Sequence, residues 1–446
     1  MNLRTRVLLS MAALAVSLTL HAAEPAPAAS DLPAFPGAQG FGANTPGGRG
    51  GRVLFVTNLE DSGPGSLREA CGADGPRIVI FRVSGTIALK SNLTVTRPYL
   101  TVAGQTAPGD GICLRDSTFG IATHDVVIRH LRCRLGDETK RQADAFDVLH
   151  GSRNVVVDHV SASWSIDEAL SLSGNNAFIT IQWCLIGESL QESKHAKGPH
   201  GYGSLARANG PVTFHHNLWI HNDSRNPRLG DNYGRGPDFP TFDVRNNVLY
   251  NYGSTACGLT QGNLRVNYVA NYIRPGPNST AKVPITIGPN RSEMDFYIRD
   301  NVVDGRDELT RDNTRFFSQV EADGRRVVRI LDQPIPTPQV ATVPADEAVD
   351  VVLADVGASR PKRDAVDTRL VHHVRTRTGR MINSQTEVGV WPELKSAPAP
   401  ADTDNDGMPD SWEVQNGLNP NDAGDATKLS PSRYTWVEEY LNSLAK

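Results

Sequence analysis

The stretch FDVRNNVLY, Phe242 to Tyr250, carries β-branched and aromatic residues around a polar pair, and the turn residues Asn251, Gly253 and Ser254 follow it. The same kind of unit recurs along the chain. VVIRHLRC starts at Val126, VVVDHVSA at Val155, FITIQWCLI at Phe178 and VTFHHNLWI at Val212. LRVNYVANYI from Leu264 and FYIRDNVV from Phe296 follow. Four units align on Asn217, Asn247, Asn271 and Asn301, at spacings of 30, 24 and 30 residues. Helical periodicity is nearly absent between them. Short strands repeating at this interval build either a propeller or a stack of coils. The WD and Kelch signatures of propellers are missing. In a coil each unit buries its apolar face only when neighbours stack on it, and asparagines at one register then bond from turn to turn. The expected fold is all-β: a right-handed parallel β-helix from about Phe35 to Gly305. The long insertion between Gly187 and Gly210 is expected to form a binding loop.

After Gly305 the pattern changes. Gln333 to Val340 is a proline-rich extended segment. DEAVDVVLADVGA and DAVDTRLVHHVRTRTG then read as two amphipathic helices, each stopped by a glycine. They close a segment over 306–395 and are expected to pack on the coil. SAPAPA, Ser396 to Ala401, reads as a linker to a last segment at 402–446.

The 446 residues suffice for one large domain and a small one. Met1 to Leu20 has Arg4 and Arg6, then an apolar run from Val7, then small residues at Ala22 and Ala23. That is the pattern of a signal peptide over residues 1–23, so the chain is expected to be secreted, extracellular or periplasmic. The segment contains no acid, so the remainder is more acidic than the whole chain, whose formal charge is −4. This balance excludes a general nucleic-acid binder. Beyond the signal no apolar run is long enough to cross a bilayer, and a monomer is expected. Five cysteines leave at least one unpaired. Most are expected to be buried thiols, although Cys113 and Cys133 could pair.

The strongest local motif is DTDNDGMPDSWE, Asp402 to Glu413. Asp402, Asp404, Asp406, Asp410 and Glu413 occupy loop positions 1, 3, 5, 9 and 12, with Gly407 at position 6, as in the EF-hand calcium loop. A solvated acidic turn is the plainer alternative; a structural Ca2+ is expected. A second group of acids is Asp144, Asp167 and Glu168, which adjacent coils could bring to one strip of surface. Asp158 reads as a structural acid bonding a turn. Lys194 and Lys197, in a loop rich in glycine and histidine, and then Arg225 and Arg228, supply cations. His195, His200, His215 and His216 match no zinc spacing. Trp164, Trp183 and Trp219 read as sugar platforms or as packing.

GFGANTPGGRGGRVLFVTNLEDSGPGSLREA, VVVDH, KGPHGYGS, TFHHNLW and RNPR, in this order, together resemble the pectate lyases, a polysaccharide lyase family. The resemblance covers roughly Phe35 to Asp304. It implies a right-handed parallel β-helix that cleaves polygalacturonate, or a related acidic polysaccharide, by Ca2+-assisted β-elimination. Residue by residue, it implies that Arg225 is the proposed base, that Asp144 and Asp167 bind the catalytic calcium, and that Lys197 or Lys194 holds a substrate carboxylate. Two positions depart from the family pattern. Its second motif arginine falls on Gly230, with Arg228 nearby, and the second acid of its Asp-x-x-x-Asp pair falls on Ser171. Glu168 could complete the calcium shell. A galacturonan hydrolase using two carboxylates, or a non-catalytic polysaccharide-binding coil, would share the fold.

Overall fold

The computed structural model describes residues 31–193, 195–230, 239–260, 262–288, 293–322 and 325–445. The signal-like segment 1–23 and Lys194 lie outside the described residues. The chain winds into a parallel β-helix with three sheets running along its length. The first runs from Arg52–Val56 to Val328–Ile330, the second from Gly85–Ala88 to Val302–Val303, and the third from Leu93–Val95 to Ile285–Ile287. Every rung pairs in parallel with the next; Val155, for example, lies between Val126 and Ile179. Alternation on the strands explains the packing. In Arg77–Phe81, Val79 and Phe81 point into the coil while Ile78 and Ile80 point out, and both faces are covered.

The asparagine register is a ladder. Asn217 donates to Asn247 (3.0 Å), Asn247 to Asn271 (3.0 Å) and Asn271 to Asn301 (2.9 Å). Asn313 caps the far end, its Oδ1 accepting from Asn301 at 3.1 Å. Each side-chain oxygen also accepts a backbone N–H of the coil before it, beginning with Cys184 on Asn217. Buried amides at these corners therefore have both donors and acceptors satisfied.

The limits differ from those expected. The first strand begins at Arg52, and the glycine-rich segment before it lies flat on the first sheet. A side chain at Gly42 would strike the Val155 carbonyl at 2.5 Å, so close approach of the backbone accounts for glycine there. Beyond Gly305 the chain still returns once, since Val328–Ile330 pairs with Met294–Arg299. The two expected helices are Ala345–Asp355 and Ala365–Thr376, and they cover the second sheet through Val352, Leu353, Leu370 and Val374. The second one ends on Arg377, in the left-handed region at φ 59°, rather than at the glycine that follows. The stretch read as a linker is pinned to the coil at its start: Ser396 bridges Gly109, and its hydroxyl accepts from Ser84 N. All five cysteines are buried and unpaired. No helix among the described residues is long and apolar enough to cross a membrane.

Candidate active site

The third sheet turns one row of side chains outward. Thr94, Gly120, Asp147 and Ser171 are successive register partners on four rungs. Their chain neighbours Leu93, Phe119, Phe146 and Leu170 face the core. The outward row floors a cleft of about 470 Å³. Turns and insertions at the ends of these strands supply its walls. Asp144, Asp147, Asp167 and Glu168 line it together with Lys197, Arg207, Arg225 and Arg228. Acids and cations therefore share one strip.

The acids crowd one another. Ligand atoms of Asp144, Asp167 and Glu168 lie within 4.8 Å of each other. Burial, then the neighbouring Asp147 and Asp167 carboxylates, push the Asp144 carboxyl well above the usual range, and the Ser171 hydroxyl and Arg225 offset this in part. Burial likewise pushes Asp147 up to about 7, against a hydrogen bond from Ser173 and the charge of Arg207. Asp144 also accepts from Glu168 N at 3.1 Å. Like charges at this density are held at lowest free energy by a cation. Hard oxygen ligands without nitrogen or sulfur fit calcium.

Arg225 is locked. Its backbone is in the left-handed region (φ 63°), and its carbonyl accepts from Ser204 N at 2.6 Å. Asn226 is itself held by Asn222 at 3.0 Å. The guanidinium lies over the Tyr202 ring at 3.9 Å and is ion-paired with Glu168. Both contacts favour a charged guanidinium.

The insertion within Gly187 to Gly210 brings Lys197 and His200 to the cleft and His195 beside them. His200 Nε2 sits 2.9 Å from Asp167 Oδ1, and the His195 ring stacks on His200 at 3.9 Å. His195 Nδ1 accepts from Lys197 N at 3.1 Å, and its Nε2 lies 3.8 Å from Asp167 Oδ2; ligand atoms of Asp167, His195 and His200 lie within 4.8 Å of one another. His215 and His216 are elsewhere, on the first sheet, where His216 stacks on Trp183 at 4.4 Å. The four histidines thus form two unrelated pairs. Asp158 is structural: it is bonded to Arg129 (2.9 Å), His159 (2.8 Å) and Gln182 (2.8 Å). Trp164 and Trp219 are buried and donate to Glu188 and Ser204.

In the C-terminal loop Asp402, Asp404 and Asp406 converge, and Asp406 and Glu413 converge with Asp425. Asp410 turns instead to Thr403, accepting from its N–H at 2.7 Å and its hydroxyl at 2.8 Å. Motif and spacing do not single out Asp147, Arg207 or Asp425. Asp147 is legible in principle: in Phe146–Val148 the alternation points it out of the coil. Arg207 and Asp425 carry no local signal, since only the register and the tail's path bring them in.

No protein-family model matches the chain. It is 36% identical over 424 residues to a probable pectate lyase C of Aspergillus flavus, covering 93% of this chain and 94% of that protein. It is also 36% identical over 451 residues to one of Aspergillus fumigatus, covering 100% and 99%. Among solved structures it resembles a pectate lyase bound to a hexasaccharide, with TM-score 0.52, 15% identity and coverage of 74% and 98%. A Bacillus subtilis pectate lyase mutant gives TM-score 0.52 at 14% identity, covering 72% and 97%. The structural likenesses carry the fold alone.

Proposed function

The chain belongs to the pectate lyase family, and from that premise we propose that it is an exported enzyme cleaving polygalacturonate by calcium-assisted β-elimination. The observation that supports this reading is the single strip on which four acids face four cations. A polyuronate needs both, because its carboxylates must be bound and its C5 proton made acidic. In elimination the C5–H bond breaks and its electrons form the C4–C5 double bond. The C4–O bond then breaks, and the departing oxygen gains a proton. Calcium bound by Asp144, Asp167 and Glu168 would neutralise the uronate carboxylate and stabilise charge developing at C5.

The side chains of this protein do the rest. Lys197 and Arg228 bind substrate carboxylates, and Lys194 is a further candidate for that role. Arg207 adds a third cation to the strip. Arg225 is the catalytic residue and takes the C5 proton. Arginine seldom gives up its own proton, so Glu168 has to leave the guanidinium and the guanidinium has to release a proton to solvent water before Arg225 can act as a base. A hydrolase would need two carboxylates flanking a water and would leave the cations without a role.

The test is incubation of the purified protein with polygalacturonate, with and without a chelator. The expected result is ultraviolet absorbance from a 4,5-unsaturated product, abolished by the chelator. New reducing ends without that absorbance would overturn the reading in favour of hydrolysis, and the absence of both would leave a binding protein. Export is tested by whether the segment 1–23 is missing from protein recovered outside the cytoplasm.

A further inference from the structure

The tail closes on the first sheet of the coil, far from the cleft in sequence and on another face. Met408, Ala426, Val437, Tyr440 and Leu441 form one apolar cluster with Ile78, Ile80 and Ala103. Gly407, at φ +98°, is pressed so near that a side chain there would meet Ile80 Cδ1 at 2.6 Å. Arg82, next after Arg77–Phe81, reaches out to the loop. Its Nη2 lies 2.8 Å from Asp402 and its Nη1 3.0 Å from Asn405, and its guanidinium covers the Phe55 ring at 3.8 Å.

Within this docked segment two triads of carboxylates, Asp402–Asp404–Asp406 and Asp406–Glu413–Asp425, share Asp406. Asp406 is 4% exposed, Glu413 0% and Asp425 4%. Among the described residues, both Asp404 oxygens, both Glu413 oxygens, Asp406 Oδ2 and Asp425 Oδ1 are buried without a hydrogen-bond donor. Burying a carboxylate unpaired costs on the order of several kcal/mol unless a cation replaces the water it loses. Arg82, the cation beside the loop, is taken by Asp402 and Asn405. The remaining Asp402 contacts are backbone N–H groups of Asp406 and Gly407, which shape the loop.

We infer that Asp402, Asp404, Asp406 and Glu413, together with Asp425 in place of Asp410, cage a calcium-class divalent cation that fastens the C-terminal segment onto the first sheet. The ligand set is all oxygen and can exceed four donors, which suits Ca2+ over Zn2+ and, with five carboxylates replacing water, over Mg2+. Asp425 stands twelve residues beyond Glu413, outside the loop motif, and the turn after Gly417 returns it to the site. The cation is therefore a cross-link between two parts of the tail and, through Arg82 and Gly407, between the tail and the coil. This site is independent of the cleft and of its reaction.

The experiment uses the full chain with Asp144→Asn and Asp167→Asn, so that cleft binding is removed. Calcium should still raise the melting temperature of this variant, and calorimetric titration should still find one site. Adding Asp425→Asn should weaken that site by about tenfold or more, the loss usual even for outer-shell partners of a metal. Adding Asp410→Asn should leave it nearly unchanged. Equal effects of Asp425→Asn and Asp410→Asn, or no calcium response in the cleft variant, would overturn the inference. Should the Asp425 variant fail to fold, terbium provides the second readout. Terbium bound to the unmodified tail should luminesce on tryptophan excitation, and Trp412→Phe, next to Glu413, should lose most of that emission. Emission unaffected by Trp412→Phe would overturn the inference as well.

Discussion

Asp147 and Ser171 are register partners on neighbouring rungs of the third sheet. At Ser171 the sequence lacks an acid that the family pattern has, and Asp147 presents a carboxylate one rung away in the same outward row. The Ser171 hydroxyl accepts from Leu205 N at 3.2 Å, so it helps to hold the adjoining strand. Asp147, whose oxygens both accept from Ser173, is therefore the carboxylate of that outward row.

That pairing predicts that a carboxylate can be moved from one position to the other. Asp147→Ser should raise the calcium concentration needed for half-maximal activity by about tenfold. Asp147→Ser combined with Ser171→Asp should recover most of the loss, because the carboxylate moves by one rung spacing of about 4.8 Å. Calcium titration of lyase activity in the three proteins checks this. A double variant as weak as Asp147→Ser would show that the two positions are not interchangeable.

Arg225→Ala and Arg225→Lys should each lower kcat by about 10²–10⁴-fold, with Lys197→Ala acting mainly on KM. Lysine keeps a positive charge but loses the planar fork that meets Glu168 and stacks on Tyr202. Circular dichroism should stay unchanged, since the Arg225 side chain is at the cleft surface. Steady-state kinetics on polygalacturonate separates the two effects, and an active Arg225→Ala protein would remove Arg225 from the chemistry.

The ladder predicts a stability difference. Asn271 gives its amide to Val244 O and Asn301 Oδ1 and accepts from Asn247 twice. Asn271→Ala should cost about 2–4 kcal/mol, because partners on both sides are left buried and unpaired. Urea denaturation measures it, and a loss below about 1 kcal/mol would contradict the ladder's role.

Stability should also have a limb on each side of neutral pH. Burial and then Asp158 act oppositely on His159, and the net effect raises its pKa above 6.5; Asp355, at 3.4 Å, assists. Its stabilisation is therefore complete below 6.5 and is lost as pH rises through the raised value. Burial lowers His130, His215 and His221 well below 6.5, and His216 to about 4. These groups favour the fold above 6.5 and withdraw that support as pH falls. A tenfold difference in proton affinity between the folded and unfolded chain is worth about 1.4 kcal/mol. Melting curves from pH 5 to 9 should show both limbs, and His159→Asn should flatten the alkaline one more than the acid one, since His159 also lowers the neighbouring His130.

The coil was legible in the sequence because stacking imposes a period: a buried asparagine must recur wherever a turn repeats, and it does so at Asn217, Asn247, Asn271 and Asn301. The two helices were legible from their apolar stripes. The cleft residues Asp144, Asp167, Lys197 and Arg225 came from motif resemblance, and spacing alone left them scattered along the chain. That they share a strip is a property of parallel register, which sets residues 23 or 24 apart side by side on this sheet. Tertiary structure alone brought in Arg207 and Asp425 and turned Asp410 aside, because a side chain's partners depend on the path of strands and tail around it. Local sequence specifies which residues can form a rung; only the stacked coil decides which charges from different rungs meet.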